Sequence, residues 1–238
     1  MSDITEEELQ NLQASLKPLI GLRLSWLSLP QLALIGFEPS QVAVIVNTLL
    51  DGVLPQIELL ASDEENLAIL REIGFKKAPG LLGQREGYPD YIHISGKRVE
   101  LKGHFVDNSI LMFKRPPTKR EPSARLKENI TLDIIQPEND ALLIAAVQLV
   151  EEDGFCSPVI VDLGVFSMVE CIRARDKRLL QTGGRFINNQ PKVISVKGFI
   201  KLRNKQLLSD ADYERDTNFG KLKRIPYKPL QDFLLKWS

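Results

Sequence analysis

The chain is poor in sulfur, in long apolar runs and in net charge, and each shortage removes a class of function. Its two cysteines, Cys156 and Cys171, form neither a disulfide framework nor a paired Cys/His zinc pattern. No apolar stretch is long enough to span a bilayer, and the acidic opening MSDITEEELQ is unlike a secretory leader. The expectation is a cytoplasmic protein with no membrane partner. A glycine loop for nucleotide phosphates is missing too, since Gly183-Gly184 lacks the Lys-Ser/Thr that would follow, and there is no G-x-S-x-G elbow. Lysine plus arginine total 31 and aspartate plus glutamate total 31, so the net charge is zero. Taken alone, that neutrality argues against a polyanionic partner.

The distribution of charge argues the other way. Residues 1–75 hold three Lys/Arg against eleven Asp/Glu, whereas residues 76–127 hold twelve against five. A neutral protein with one basic face still steers a polyanion toward that face.

Hydrophobic periodicity gives the layout. A helix runs through about Leu16, capped by Ser2 or Asp3, with Leu9, Leu12 and Leu16 as its buried stripe. A short apolar element lies near Trp26 to Leu34. Ser40 caps a very apolar helix, QVAVIVNTLLDGVL, expected to be buried on most sides. Pro55 to Leu60 reads as a short helix, and Ser62-Asp63-Glu64-Glu65 opens another that stops at Gly74. Phe75 to Gly87 reads as loop. Strands are expected at Ser109–Phe113, Ile130–Ile135, Ala141–Val150, Ser157–Leu163 and Val193–Leu202. A helix is expected at Val165–Leu180, loop at Asp210–Asp216, and a terminal helix opening at Pro229. The sum is one α/β domain over residues 1–238, with a helical part at 1–75 and a sheet-containing core at 76–238.

The organising stretch is Tyr88 to Gly103, YPDYIHISGKRVELKG. Two alternating runs flank the turn Ser95-Gly96-Lys97, the mark of a hairpin. Glu100 and Lys102 are two apart and share one strand face, with Val99 and Leu101 on the other. Pro89-Asp90, nine residues, then Glu100-Leu101-Lys102 resembles the PD-(D/E)XK motif of type II restriction endonucleases and DNA-repair nucleases. The resemblance covers residues 88–103. It implies a restriction-endonuclease-like fold, a central mixed sheet flanked by helices, and a metal-dependent DNA endonuclease. Asp90, Glu100 and the Leu101 carbonyl would hold Mg²⁺ or Mn²⁺, and Lys102 would orient the attacking water. Relatives add a helix-borne glutamate, for which Glu65 or Glu64 stands first and Glu72 behind. Two-fold DNA sites imply a homodimer.

Around this motif, the proline-rich stretch 114–127 carries Lys114, Arg115, Lys119, Arg120, Arg125 and Lys127, either a solvated connection or an arm that follows DNA phosphates. A second compact basic patch spans Asn218 to Arg224. His93 and His104 flank the motif, satisfied strand histidines being the commoner outcome. Asp107 and Asp133 are conceivable extra ligands, Gln148 could line the site, and Lys197 and Lys201 read as same-face strand positions. Two other readings stay open: a non-catalytic nucleic-acid-binding or regulatory protein on the same fold, and a repair or junction nuclease. A protein-interaction role would survive if the basic stretches lay away from Glu100.

Overall fold

The structure is a computed structural model that describes residues 2–23, 28–53, 68, 71–78, 87–106, 108, 110–114 and 124–237, with backbone alone at 47–53 and 77. The helix expected at residues 55–60, the helix start at 62–65, Trp26, and the middle of the basic stretch at 115–123 lie outside those residues.

A six-stranded mixed sheet organises the fold. Its strands are β1 (Leu29–Pro30), β2 (Phe75–Lys77), β3 (Tyr91–His93), β4 (Arg98–Val106), β5 (Asp140–Glu152) and β6 (Phe155–Ser167). They are ordered β1-β6-β5-β4-β3-β2. Only the β4–β5 pair is parallel; the others run antiparallel. Among the described residues, the helices with defined bounds are α1 (Glu6–Leu16), α2 (Pro39–Val53), α3 (Met168–Gln181), α4 (Val196–Arg203) and α5 (Lys228–Lys236). A small antiparallel sheet of β7 (Arg185–Ile187), β8 (Gln190–Ile194) and β9 (Tyr213–Arg215) follows α3.

The period of two along β5 sorts the core into two layers. Ala141, Leu143, Ala145, Val147 and Leu149 pack with α1 and α2 residues such as Leu12, Leu16, Val42 and Val46. Leu142 and Ile144 face the opposite way, into Val169 and Ile172 of α3 and Leu230 and Leu234 of α5. β4 obeys the same parity. Val99 and Leu101 join the α1/α2 layer, so Glu100 and Lys102 must face the α3/α5 side.

Several expected elements are displaced, each for a local reason. The α1 cap is Thr5 rather than Ser2 or Asp3: Thr5 and Glu8 close a capping box, and Asp3 pairs with Arg173 at 2.6 Å. Helix α2 buries Val42 and Val46 but leaves Val44 56% exposed, so it carries a stripe and is not buried on most sides. The element near Leu34 is the short β1 followed by a 3-10 helix, Gln31–Gly36. Phe75–Lys77 is an edge strand rather than loop, its Phe75 ring stacked 5.1 Å from Tyr91.

Over Ser109–Phe113 the described residues form a turn, because Asn108 Oδ1 accepts the Ile110 amide and its Nδ2 donates to the Leu149 carbonyl. Ile130–Ile135 is likewise no strand. Its backbone closes i→i+3 turns, Ile130 to Lys127 and Ile134 to Thr131, while Ile130 and Ile135 drop into the core. Val193–Leu202 splits at Ser195, whose Oγ accepts the Gly198 amide and caps α4. Ser167 caps α3 in the same way, so residues 165–167 finish β6 instead of opening the helix. Asp210–Asp216 holds a 3-10 turn and β9. The terminal helix opens at Lys228, with Pro229 in its first turn as expected.

One glycine fixes the cover over the site face. Gly220 has φ +73°, and a Cβ there would lie 2.0 Å from the Leu126 carbonyl oxygen. The Leu126 amide in turn donates to the Gly220 carbonyl at 2.8 Å. Gly220→Ala adds both a left-handed backbone penalty and a main-chain clash. The expected loss is about 2–4 kcal/mol, measured by urea unfolding, whereas Gly154→Ala, with positive φ but open space, should cost only about 1 kcal/mol.

Candidate active site

The hairpin of β3 and β4 brings the motif together. Tyr91 pairs with Val99 and Ile92 with Arg98, Gly96 takes φ +83° in the turn, and the Tyr88–Pro89 peptide is cis. Asp90, one residue before β3, therefore lies across from Glu100 and Leu101. Its Oδ2 accepts the Leu101 amide at 2.7 Å, which locks the side chain against β4.

Lys102 lies at the centre of the arrangement. Its Nζ donates to Glu100 Oε1 at 2.6 Å and to the Leu101 carbonyl at 2.8 Å, and lies 3.8 Å from Asp90 Oδ2. Thus the three oxygen donors expected to hold a cation converge on a position where an ammonium already resides. Glu100 is 4% exposed, and its Oε2 is buried without a hydrogen-bond partner. Burial raises the Glu100 carboxyl to about 7; the Lys102 charge works against that rise and the Asp90 charge adds to it. The set suits a hard divalent ion: two carboxylates, one carbonyl, and one buried carboxylate oxygen without a partner. Among the described residues no group of three or more His, Cys, Asp and Glu is disposed to hold a metal, so any such site rests on the two carboxylates and the carbonyl.

A second polar cluster braces the hairpin from below. Asp140, the first residue of β5, is fully buried; it accepts from the Tyr88 hydroxyl and from the Gln136 amide at 3.0 Å, and pairs with Arg98 Nε at 3.1 Å. The Arg98 guanidinium also lies 5.4 Å from the Tyr88 ring centre. Burial pushes the Asp140 carboxyl up and the Tyr88 phenol strongly up. Tyr88 is two residues from Asp90 and Arg98 two from Glu100, so this cluster sets the positions of both carboxylates. The sequence carried a signal for it: an aspartate opening an otherwise apolar strand.

The other expected residues divide. Lys127 is brought near, its charge acting on Glu100, and its carbonyl accepts from Arg175 Nη1 at 2.6 Å. Lys114 and Arg125 are exposed, with Arg125 bridged to Lys221. Arg115, Lys119, Arg120, Glu64, Glu65 and Asp107 lie outside the described residues. Glu72 and Asp133 are exposed. Gln148 pairs with Val106, six residues along β4 from Glu100, or about 20 Å; it does not line the site. His93 is a satisfied core histidine, held by Ser95 Oγ at 2.7 Å and Ser15 Oγ at 3.2 Å. Lys197 and Lys201 are on helix α4 rather than a strand, and Lys201 pairs with Asp212.

His104 was not expected to be so deeply enclosed. It shares the face of Lys102, is 1% exposed, and neither ring nitrogen has a partner of hydrogen-bonding geometry. Burial drives its pKa down to about 4, with the Lys223 charge adding to the fall and the Trp237 main chain opposing it.

Comparison with protein-family models finds no match, and comparisons with curated proteins and with solved structures find no significant match either. Among the described residues no helix is long and apolar enough to cross a membrane.

The Glu100 shift has a measurable consequence. A carboxyl raised to about 7 in the fold, from its ordinary value of 4.5, binds its proton more tightly folded than unfolded. Its contribution is therefore full below the unfolded value and is lost as pH climbs toward the folded one. Glu100→Gln removes that loss. In EDTA, the melting temperature of the variant relative to wild type should rise by about 5 °C between pH 5 and pH 8. A difference that stays flat across this range would show that Glu100 is ionised throughout.

Proposed function

We propose that this protein is a metal-dependent DNA endonuclease built on a restriction-endonuclease-like fold. The observation that carries the reading is the convergence of Asp90, Glu100 and the Leu101 carbonyl on one cation position, filled by the Lys102 ammonium. The motif spacing, the placement of both halves on paired strands, and the mixed sheet with helices on both faces support it.

In this reading Asp90, Glu100 and the Leu101 carbonyl hold Mg²⁺ or Mn²⁺, and Lys102 swings from its present contacts to a water. Held there, the ion would supply Lewis acidity at the phosphate and ease deprotonation of the attacking water. Glu100 contributes a carboxylate that must shed its proton to bind, which its value near 7 permits at neutral pH. Lys102 orients the attacking oxygen and stabilises charge growing on the phosphate oxygens. The water oxygen bonds to phosphorus, the bond from phosphorus to the 3′ oxygen breaks, and a proton passes to the leaving oxygen. The resemblance implies a 5′-phosphate product. The Tyr88–Asp140–Arg98 cluster keeps Asp90 and Glu100 in place while Lys102 moves. A homodimer acting on two strands, and a cytoplasmic setting, belong to the same proposal.

The test is cleavage of mixed plasmid DNA with Mg²⁺ or Mn²⁺, wild type beside Asp90→Ala and Lys102→Ala. Wild type should cut, EDTA should stop it, and each variant should lose activity by about a hundredfold or more. Discrete fragments would support restriction, and a smear would support a less selective repair-type nuclease. Cutting that persists undiminished in both variants would overturn the assignment. Folded wild type that binds DNA, shows no Mn²⁺ bound at Asp90 and Glu100, and never cuts would favour the non-catalytic binding reading instead.

A further inference from the structure

The patch from Asn218 to Arg224 was left without a role above, and α3 carries another basic stretch, Arg173, Arg175, Lys177 and Arg178. The fold brings them together. A cleft of about 540 Å³ opens between the end of α3 and the turn before α5, lined by Arg178, Gln181, Lys223, Arg224 and Gln231. Its wall is firm. The Gln231 amide nitrogen donates to the Leu222 and Ile225 carbonyls at 3.0 and 2.6 Å, and the turn closes through Arg224 to Lys221 at 2.8 Å. Ile225 and Pro226 complete the lining, so its described residues are three cations, two amides and two apolar side chains, with no carboxylate and no aromatic ring.

The cleft shares a sheet face with the candidate active site: Leu222 and Ile225 of its turn and Val169 and Ile172 of α3 pack with Leu142 and Ile144, in the layer that Glu100 and Lys102 face. The Lys223 charge acts on His104, which lies two positions beyond Lys102 on the same side of β4, about 7 Å along the strand. From the other side, Arg175 of α3 donates to the Lys127 carbonyl, and the Lys127 charge acts on Glu100. Arg178 is three residues further along α3, one turn of helix away.

We propose that this cleft docks the phosphate backbone of duplex DNA beside the bond to be cut, a step that rests on the nuclease reading above. Arg178 and Lys223, faced by no carboxylate among the described lining residues, suit a polyanion. The lack of an aromatic platform points to phosphate contact rather than base stacking or base reading. An open cleft far larger than one phosphate fits a continuous backbone better than a free ion. Affinity for the substrate thus comes from α3 and the 222–226 turn together, rather than from the 114–127 stretch alone.

The experiment is binding of fluorescein-labelled duplex DNA in EDTA, followed by anisotropy across a salt titration. Wild type is compared with Arg178→Gln, Lys223→Gln, the double variant, Arg178→Lys, and Lys17→Gln. Lys17, exposed at the end of α1, is on the opposite side of the sheet. The double variant should bind about tenfold more weakly, and its slope of log affinity against log salt should shrink by about 1.8, or 0.9 per lost phosphate contact. Arg178→Lys should keep slope and affinity, which a purely structural arginine would not. Lys17→Gln should match wild type. Unchanged affinity and slope in the double variant would overturn the inference while leaving the nuclease reading intact. Displacement of the DNA by inorganic phosphate at matched ionic strength, as complete as by unlabelled duplex, would make the cleft a free-anion site and also overturn it. Wild type that binds no DNA would sink both.

Discussion

Glu100 is a carboxylate that the fold buries and only half satisfies, and most of the surrounding structure follows from that constraint. It cannot face the α1/α2 layer, because Val99 and Leu101 hold that side of β4. Parity sends it to the α3/α5 side, opposite Leu142 on β5. There one oxygen finds Lys102 and the other finds nothing. Burying an ion pair this way gains little for stability, since desolvation offsets the attraction. A well-packed apolar pair at these positions would be at least as stable. The cost makes sense if the carboxylate is kept ready for a cation stronger than an ammonium.

The second constraint is positional. Asp90 precedes a three-residue strand, and such a short element would hold its side chain loosely. Three contacts prevent this: the bond from the Leu101 amide, the edge strand β2 beyond β3, and the buried Asp140 tied to both Tyr88 and Arg98. The last matters most, because it links the residues flanking each half of the motif to the start of β5. The parallel β4–β5 pair then carries that registration into the centre of the sheet. A site supported in this way differs from one exposed on a loop, where small backbone motions would separate the donors.

What was legible in the sequence was local. The hairpin could be read because alternation and the Ser95-Gly96-Lys97 turn agree, and because strand parity fixes which residues share a face. The apolar strand at 141–150 and the terminal helix at Pro229 were readable for similar reasons. The misread segments share a feature: a side chain captures the backbone. Asn108 folds 110–111 into a turn, Ser195 starts a helix inside an apparent strand, and Asp140 gathers the chain at 136. Apolar content predicted burial correctly at Ile130 and Ile135 but not their conformation. Of the candidate site, the grouping of Asp90, Glu100 and Lys102 was legible in the sequence. Lys127, His104 and the 218–224 patch each stood out in the sequence, but that they lie on the same sheet face as Glu100 depends on segments far apart in the chain.

These outer parts weigh on the choice between a catalytic and a merely structural ion cluster. A structural cluster needs only charge balance, which Lys102 with Asp90 and Glu100 nearly supplies. It does not require Lys127 beside Glu100, with its carbonyl held by an arginine that is itself 2% exposed and stacked 4.7 Å over Phe219. Nor does it require Leu126 to be pinned against a left-handed Gly220, or a neutral, unpartnered histidine on the same strand face. Of these, Lys127 and Arg175 place positive charge on the α3/α5 side of the sheet, the side that Glu100 faces. In the proposed nuclease reading, that charge would compensate a phosphodiester brought near the two carboxylates.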